Sequence, residues 1–531
     1  MKLPKQASWR FQCKLLGLVL LTTPLMAALP LKTSQARVAS GVLEGVISAD
    51  DQVRTFKGIP YAAPPVGPLR WKEPQPAPSW TGVRRASEYG ARCMQAPIYP
   101  DMIFHDDGPS EDCLYLNLWM PAHPATDRLP VMVWIYGGGF NAGSSSEPRQ
   151  DGGNLSKQGV VVVSMNYRLG IFGFFSHPEL AKESGRDASG DYGLLDQVSA
   201  LRWVHENIAV FGGDPNNVTI FGQSAGSSSV SALVASPLAK GLFQKAIGES
   251  GAALNPGRQP RSLAESEEAN VRFAQEALGT SSLEELRRKP AAEVLQAALK
   301  TKDVHFSMIV DGYFLPESPF AIYSAGKQAH VPLLAGWNAD EGSARSILGD
   351  KEATPENLDA QLRSLYPGHA DDAIKLYPAD TDAQAKRAAQ KLARDRGVGY
   401  SMWKWLELQR QTGDVATYRY EFDRARPSPP GSTGPDPGPR AYHSAEIEYV
   451  FSVLPRRAVP WPAEDRSLAR LISSYWANFA KTGSPNGPGL PQWPAYNGKG
   501  GFEVMHLNAE SKASPDKDQA RYRFIDSLRR K

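Results

Sequence analysis

One nine-residue segment, residues 218–226, constrains the fold more than any other part of the chain. It joins a short apolar run to the sequence Gly-Gln-Ser-Ala-Gly, with Ser224 at its centre. A serine in this position fits a sharp, strained turn, because Gly222 and Gly226 relieve the crowding that such a turn creates. The small residues that follow suit the start of a helix, whose first N–H groups favour developing negative charge. The segment therefore predicts a buried strand, a nucleophilic serine and a helix in succession.

Further apolar runs predict that this strand belongs to a sheet buried on both faces. The runs are continuous rather than alternating, and helical patterns such as Tyr192–Asn207 separate them. Parallel strands that are covered by helices on both faces have this pattern. The other predicted strands comprise residues 114–120, 131–136, 160–165, 331–336 and 418–422. We therefore predict an α/β fold with a large, mostly parallel central sheet.

Helical patterns dominate the regions between the later strands. Charged amphipathic stretches predict helices over residues 263–278 and 283–299, and residues 355–412 and 467–481 also have helical patterns. Residues 424–440 form a predicted loop rich in proline, glycine and serine. Because no internal repeat or shift in composition marks a boundary, we interpret the helices as insertions that cap the sheet of a single domain.

Three consecutive glycines, Gly137, Gly138 and Gly139, follow the predicted strand at residues 131–136. Glycines let main-chain N–H groups approach a ligand oxygen without interference from a Cβ atom. A nucleotide-phosphate loop is the alternative, but the segment has neither a Gly-x-Gly-x-x-Gly pattern nor a Gly-Lys-Ser/Thr ending. We interpret the glycines as an oxyanion hole that is completed by Ala225, the residue after the serine.

A nucleophilic serine needs a base, and the base needs an orienting acid; in a strand–serine–helix arrangement both follow the serine in the chain. The histidines after Ser224 are His305, His330, His369, His443 and His506. His443 is preferred because it follows the Pro/Gly-rich loop, which can deliver an imidazole at the sheet edge. Two carboxylates, Asp340 and Glu341, follow the predicted strand at residues 331–336. Spacing alone does not decide between these two carboxylates.

Residues 1–36 predict a secretory signal peptide, and residues 37–531 a single catalytic domain. A basic start precedes an apolar stretch over residues 15–28, and the small residues Ser34 and Ala36 suit cleavage before Arg37. Cleavage near Ala27 or Ala28 is the alternative. The apolar stretch is shorter than the roughly 20 residues that a membrane-spanning helix needs. The mature protein is therefore predicted to be secreted or periplasmic, with no stable membrane insertion.

The net charge of the chain gives no support for a nucleic-acid partner. The formal charge of the whole chain is +3, but residues 1–36 contain five Lys or Arg and no acidic residue, so the remainder carries −2. No dense basic run appears after the leader that would follow a phosphate backbone. We therefore predict that the protein does not bind nucleic acid.

The cysteines are consistent with export. Cys13 lies in the leader, which leaves Cys93 and Cys113 as an even pair. A free buried pair is the alternative, but an oxidising compartment favours a disulfide that closes a loop of about 20 residues. Two cysteines and no clustered histidines also make a structural zinc site unexpected.

Several motifs make the chain similar to the type-B carboxylesterases, an esterase/lipase family that includes the cholinesterases and bacterial para-nitrobenzyl esterase-like enzymes. The resemblance extends from about Gly41 to about Trp493. Its motifs, besides the glycine loop, are FKGIPYA at residues 56–62, SEDCLYLN at 110–117, NYR at 166–168, GLLDQ at 193–197, FGGDP at 211–215 and GQSAG at 222–226. The resemblance implies the α/β-hydrolase fold with helical cap insertions.

The same resemblance implies a role for individual residues. The implied assignments are Ser224 as nucleophile, Glu341 rather than Asp340 as acid, His443 as base, Gly138, Gly139 and Ala225 as oxyanion donors, and a disulfide between Cys93 and Cys113. Ser250 matches a family serine that supports the histidine, with a packing role as the alternative. The chain departs from the family at Gln223, where glutamate is most common. Residues 94–112 also lack the tryptophan that binds choline in cholinesterases, so choline esters are not expected.

We therefore predict a secreted serine carboxylesterase that hydrolyses small-molecule esters through an acyl-enzyme, without a cofactor or metal. One alternative is a catalytically inactive binding or adhesion protein on the same fold. A lipase or amidase with the same chemistry is another. The sequence predicts no oligomeric state.

Overall fold

The computed structural model describes residues 33–124, 128–255, 259–301, 304–427, 440–456, 459–498 and 501–529. Most of the predicted signal peptide and most of the predicted loop at residues 424–440 lie outside the described residues. Among the described residues, no helix combines the length and apolar character needed to cross a bilayer.

Thirteen of the described strands form one mixed sheet, and two short strands pair separately. The strands are β1 (Thr33–Val38), β2 (Gly41–Ile47), β3 (Val53–Pro60), β4 (Val83–Arg85), β5 (Arg92–Cys93), β6 (Pro109–Ser110), β7 (Tyr115–Pro121), β8 (Leu129–Ile135), β9 (Val161–Met165), β10 (Gly213–Gln223), β11 (Lys245–Glu249), β12 (Leu333–Asn338), β13 (Thr417–Phe422), β14 (Glu503–Leu507) and β15 (Lys512–Pro515). The large sheet has the order β1-β2-β3-β7-β9-β8-β10-β11-β12-β13-β14-β15, with β4 beside β2. Its centre, from β9 to β14, is parallel, and the pairs at both ends are antiparallel except that β4 lies parallel to β2.

Helices fill the connections between the strands. They are α1 (Gly153–Ser156), α2 (Gly170–Phe174), α3 (Pro178–Ser184), α4 (Tyr192–Asn207), α5 (Ala225–Ala235), α6 (Leu263–Leu278), α7 (Leu283–Arg288), α8 (Ala291–Lys300), α9 (Pro319–Ser324), α10 (Arg345–Leu348), α11 (Pro355–Leu365), α12 (Ala370–Leu376), α13 (Asp382–Arg394), α14 (Tyr400–Gly413), α15 (Ile447–Val450), α16 (Ala463–Thr482) and α17 (Gln519–Arg529). All five residues of β9 are buried. Because successive side chains of a strand point to opposite faces, both faces of the sheet are covered there.

The architecture confirms the predicted α/β fold with a large, mostly parallel sheet flanked by helices. Helices α4 and α6 have the predicted bounds. The helix predicted over residues 283–299 is instead two helices, α7 and α8, because Pro290 interrupts the pattern. A second, smaller apolar core contains Leu358, Leu362 and Leu392 beneath α10–α13, as expected for a helical insertion with its own packing.

The first strand contains part of the predicted signal peptide. Residues Thr33 to Ala36 belong to β1, which pairs antiparallel with β2 in the register Ala36↔Leu43. Cleavage before Arg37 would remove most of this edge strand, whereas cleavage at the alternative position near Ala27 or Ala28 would retain it.

Candidate active site

Ser224 occupies a strained position between β10 and α5. Its backbone has φ 57° and ψ −122°, a conformation that side-chain-bearing residues rarely adopt. Its N–H donates a hydrogen bond of 2.8 Å to the carbonyl of Glu249 at the end of β11, and α5 begins at the next residue, Ala225. The predicted succession of strand, serine and helix is therefore present.

Two glycines permit this turn. A Cβ atom at Gly226 would lie 1.9 Å from the carbonyl oxygen of Ile135, and one at Gly251 would lie 2.2 Å from the carbonyl oxygen of Ser224. Any side chain at either position would therefore displace the serine or the end of β8. The strain at Ser224 is maintained by close packing of the backbone around it.

The structure brings three of the predicted site residues into one hydrogen-bonded row. Ser224 Oγ lies 2.9 Å from Nε2 of His443, and Nδ1 of His443 lies 3.0 Å from Oε1 of Glu341. Glu341 follows β12 and its side chain is 1% exposed, whereas the side chain of His443 is 48% exposed. Because a carboxylate only accepts hydrogen bonds, Nδ1 of the neutral imidazole carries the proton and Nε2 presents a lone pair to Ser224.

Asp340 has a different set of contacts from Glu341. Its Oδ2 accepts the N–H of Ala441 at 2.9 Å, and its own N–H donates to the carbonyl of Ala441 at 2.9 Å. These bonds fix the chain two residues before His443. Glu341 therefore contacts the imidazole, whereas Asp340 holds the loop that carries it.

The surroundings of His443 raise its pKa above the ordinary value. Desolvation of the ring favours the neutral form, but the hydrogen bond and charge of Glu341 and the charge of Glu446 outweigh it, with Arg149 opposing them. Burial, with a contribution from Glu341, raises the pKa of Glu446 to about 7. Burial likewise raises the pKa of Glu249 well above its usual value.

The glycine loop lies directly beside the serine. A Cβ atom at Gly137 would lie 2.9 Å from Cβ of Ser224, and Gly138 and Gly139 have φ values of 111° and 63° that favour glycine. Within the described part of the chain, no acceptor takes the backbone N–H of Gly138 or Gly139. These N–H groups and that of Ala225, the first residue of α5, are therefore available to a ligand.

The predicted disulfide between Cys93 and Cys113 is present, and the loop that it closes covers the glycines. The hydroxyl of Tyr99 lies 3.2 Å from the position of a Cβ atom on Gly139, and Cε of Met102 lies 3.4 Å from the corresponding position on Gly138. Tyr99 and Met102 thus lie against the glycine loop that adjoins the serine.

Several contacts of the site have no counterpart in the sequence predictions. Gln223 places Nε2 at 3.3 Å from Nε2 of His443, and Asn338 donates to Oε2 of Glu446. The sequence did offer one indication of the contact made by Gln223, because this residue directly precedes Ser224 in the motif. No spacing indicated Asn338 or Glu446. Ser250 Oγ is buried without a hydrogen-bond partner among the described residues, so it does not bond to His443.

No group of three or more His, Cys, Asp or Glu side chains in the described ranges is arranged to hold a metal ion.

Comparison with known proteins gives consistent results. A sequence model described as the carboxylesterase family matches residues 32–525. The chain is 37% identical over 493 residues to fumonisin B1 esterase of Sphingopyxis macrogoltabida, covering 89% of this chain and 86% of that protein. It is 38% identical over 463 residues to para-nitrobenzyl esterase of Bacillus subtilis (strain 168), covering 85% and 90% respectively. A solved structure of a PNB esterase matches with a TM-score of 0.75 at 35% identity, over 92% of this chain and 98% of that one.

Proposed function

The chain belongs to the carboxylesterase family and is a carboxylic ester hydrolase of the type-B group, and from this premise we propose that Ser224, His443 and Glu341 perform the hydrolysis. The observation that carries the proposal is the hydrogen-bonded row Ser224–His443–Glu341, with separations of 2.9 and 3.0 Å. Nucleophile, base and orienting acid are the parts that activate a serine hydroxyl.

In the first half of the reaction, Ser224 Oγ attacks the ester carbonyl carbon. His443 Nε2 accepts the hydroxyl proton, and Glu341 stabilises the imidazolium through Nδ1–H. The N–H groups of Gly138, Gly139 and Ala225 bind the oxyanion; loss of one such donor costs about 3 kcal/mol of transition-state stabilisation in enzymes of this chemistry. The tetrahedral intermediate collapses as the C–O bond to the alcohol breaks. The proton on Nε2 passes to the leaving alkoxide, which departs as the alcohol.

In the second half, water releases the acid from the acyl-enzyme. His443 Nε2 takes a proton from the water as its oxygen attacks the acyl carbon, and the same three N–H groups bind the new oxyanion. The bond to Ser224 Oγ then breaks, and the proton on His443 returns to Oγ. The carboxylic acid leaves and the starting enzyme is restored.

We also propose that the protein is exported, with removal of a signal peptide. The basic and apolar leader supports export, as does the disulfide between Cys93 and Cys113. The pairing of Thr33–Val38 in the sheet supports cleavage near Ala27 or Ala28 rather than before Arg37. Mass spectrometry of the secreted protein tests this, and an N-terminus at Arg37 would contradict it.

The substrate is proposed to be a small-molecule ester. Two of the relatives are named fumonisin B1 esterase and para-nitrobenzyl esterase. Those names support ester hydrolysis and leave the preferred acyl length to measurement.

The test is hydrolysis of p-nitrophenyl esters from acetate to palmitate by the full chain and by Ser224→Ala. We expect Ser224→Ala to lower kcat by about 10⁴-fold or more, because the nucleophile is removed. Ser228→Ala, one turn further along α5, is the matched control and should retain activity. Folded Ser224→Ala with substantial turnover would refute the assignment of the nucleophile. A peak of activity at long chains would indicate a lipase, and no turnover by the unmodified chain would favour the binding-protein alternative.

A further inference from the structure

We propose that Gln223 is a positioning residue that stabilises the neutral form of His443 and thereby extends ester hydrolysis to lower pH. This inference rests on the proposed roles of Ser224 and His443. It concerns the position at which the chain departs from the glutamate most common in the family.

The geometry places Gln223 directly on the reacting nitrogen. Gln223 is the last residue of β10 and is 3% exposed. Its Nε2 lies 3.3 Å from His443 Nε2, the same atom that faces Ser224 Oγ at 2.9 Å. With Nδ1–H directed to Glu341, Nε2 has only a lone pair to offer, and it accepts from both the amide of Gln223 and the hydroxyl of Ser224.

Protonation of His443 at Nε2 turns the contact with Gln223 from favourable to unfavourable. The new Nε2–H points toward an amide N–H, so the hydrogen bond from Gln223 is lost unless its amide turns to present Oε1. In either orientation Gln223 is uncharged and forms no ion pair with the imidazolium. With the amide N–H donated to Nε2, the contact favours the neutral imidazole, which is the form that accepts a proton from Ser224. In either orientation, Gln223 stabilises the imidazolium less than a carboxylate at position 223 would.

Other charged groups around the ring also act on the protonation of His443. Glu341, after β12, and Glu446, just before α15, favour the imidazolium, whereas Arg149 opposes it. Arg149 reaches this region from the turn Pro148–Gln150, where its Nη1 lies 3.4 Å from Oγ of Ser444. Behind Glu446 lies a further buried carboxyl, Glu249, which accepts from Nε1 of Trp476. A carboxylate at position 223 would add a negative charge in contact with Nε2, which now faces the uncharged side chains of Gln223 and Ser224.

The test compares the pH dependence of kcat/KM for p-nitrophenyl acetate in the unmodified chain, Gln223→Glu and Gln223→Met. The acidic limb of this profile reports the pKa of the free enzyme's base. In Gln223→Glu we expect the limb to move to higher pH by about one unit or more, as for an opposite charge at contact distance. Below the limb, activity should then fall about tenfold for each unit of displacement.

Gln223→Met separates the hydrogen bond from the charge. Methionine has a similar length but donates no hydrogen bond, so we expect a smaller displacement in the same direction. If Gln223 only fills space, both variants lower kcat equally at every pH and leave the limb in place, which would overturn the inference. If Gln223→Glu does not fold, as judged by circular dichroism, an unmoved limb in Gln223→Met would still overturn it.

Different results would reject the role of Gln223 and the catalytic role of Ser224. Ser224→Ala is measured in parallel with the Gln223 variants. An inactive Ser224→Ala together with unmoved limbs would reject the role of Gln223 alone. Retained activity in Ser224→Ala would reject the proposed function itself.

Discussion

At the residue scale, Asp340 and Glu341 show how adjacent carboxylates can have separate roles. They leave β12 together, but Glu341 turns inward to His443 whereas Asp340 bonds to the backbone of Ala441. The side chain of Glu341 is 1% exposed, so its charge acts on the imidazole without much screening by water. Asp340 instead holds the position of the loop that carries the imidazole.

Glu341→Gln and Asp340→Asn test this division. An amide at position 341 cannot stabilise the imidazolium, and we expect kcat to fall by roughly 10³-fold or more. Asparagine at position 340 still offers an oxygen to the N–H of Ala441, so activity should stay within about tenfold of the unmodified chain. Steady-state kinetics on p-nitrophenyl acetate measures both. Equal losses in the two variants would contradict the division.

At the element scale, ion pairs and hydrogen bonds anchor the loop closed by Cys93 and Cys113 at two of its carboxylates. Arg70 binds both carboxylate oxygens of Glu111 at 2.6 Å, next to the disulfide. Further along, Asp106 accepts from Ser144 and Ser146 and pairs with Arg92. These anchors keep Tyr99 and Met102 above Gly138 and Gly139.

We expect the double variant Cys93→Ser/Cys113→Ser to unfold at a lower temperature. The chain-entropy estimate for a loop of this length gives a loss of about 3 kcal/mol in the free energy of unfolding. Thermal unfolding followed by circular dichroism measures the loss, and the unmodified chain with reductant is the control. Identical melting temperatures with and without reductant would show that the anchors alone hold the loop.

At the scale of the whole molecule, buried ion pairs connect the region of α17 to the segment after β12 that carries Asp340 and Glu341. Arg394 donates to Asp518 at 2.7 Å and to Glu421 at 2.8 Å, and its Nη1 lies 3.4 Å from the carbonyl of Ala339. Arg521 of α17 bonds to Asp395 at 2.6 Å. The buried guanidinium of Arg394 therefore contacts both Asp518, just before α17, and Ala339, just before Asp340.

Asp518 makes this connection sensitive to acid. Burial disfavours its charged form, but Arg394 and Arg521 outweigh burial and hold the pKa of Asp518 well below its usual value. A depressed folded-state pKa stabilises the fold above the unfolded pKa of about 3.9, and that contribution is lost as the pH falls toward the folded value. Stability should therefore decline from about pH 5 downward.

Asp518→Asn should lower the free energy of unfolding at pH 7 by about 3 kcal/mol, because one partner of a buried ion pair is removed. The substitution should also make the free energy of unfolding fall less steeply as the pH decreases below about 5. Urea unfolding at a series of pH values measures both effects. Asp350→Asn is the control, since Asp350 is 87% exposed beside Arg345 and such pairs contribute little. An acid dependence unchanged in Asp518→Asn would contradict the argument.

Much of the fold was encoded in local sequence. Continuous apolar runs predicted the central strands, and helical patterns in the sequence predicted the bounds of α4 and α6. The strand–serine–helix motif predicted the turn at Ser224, because glycine placement and strand ends are properties of neighbouring residues. Strand β11 was missed because Lys245–Glu249 is short and begins and ends with charged residues, which only the surrounding sheet buries.

The arrangement of the site was decided by tertiary structure. His443 meets Glu341 and Ser224 across separations of 102 and 219 residues, and no local pattern reports contacts at that range. Residue-by-residue reasoning left Asp340 and Glu341 equivalent; the pairing of Asp340 with Ala441 orients one carboxylate away from the ring and the other toward it. The contact of Gln223 with the imidazole likewise joins residues that are distant in the sequence. Local sequence thus determined which reactive groups are present, and packing of distant segments determined which of their atoms meet.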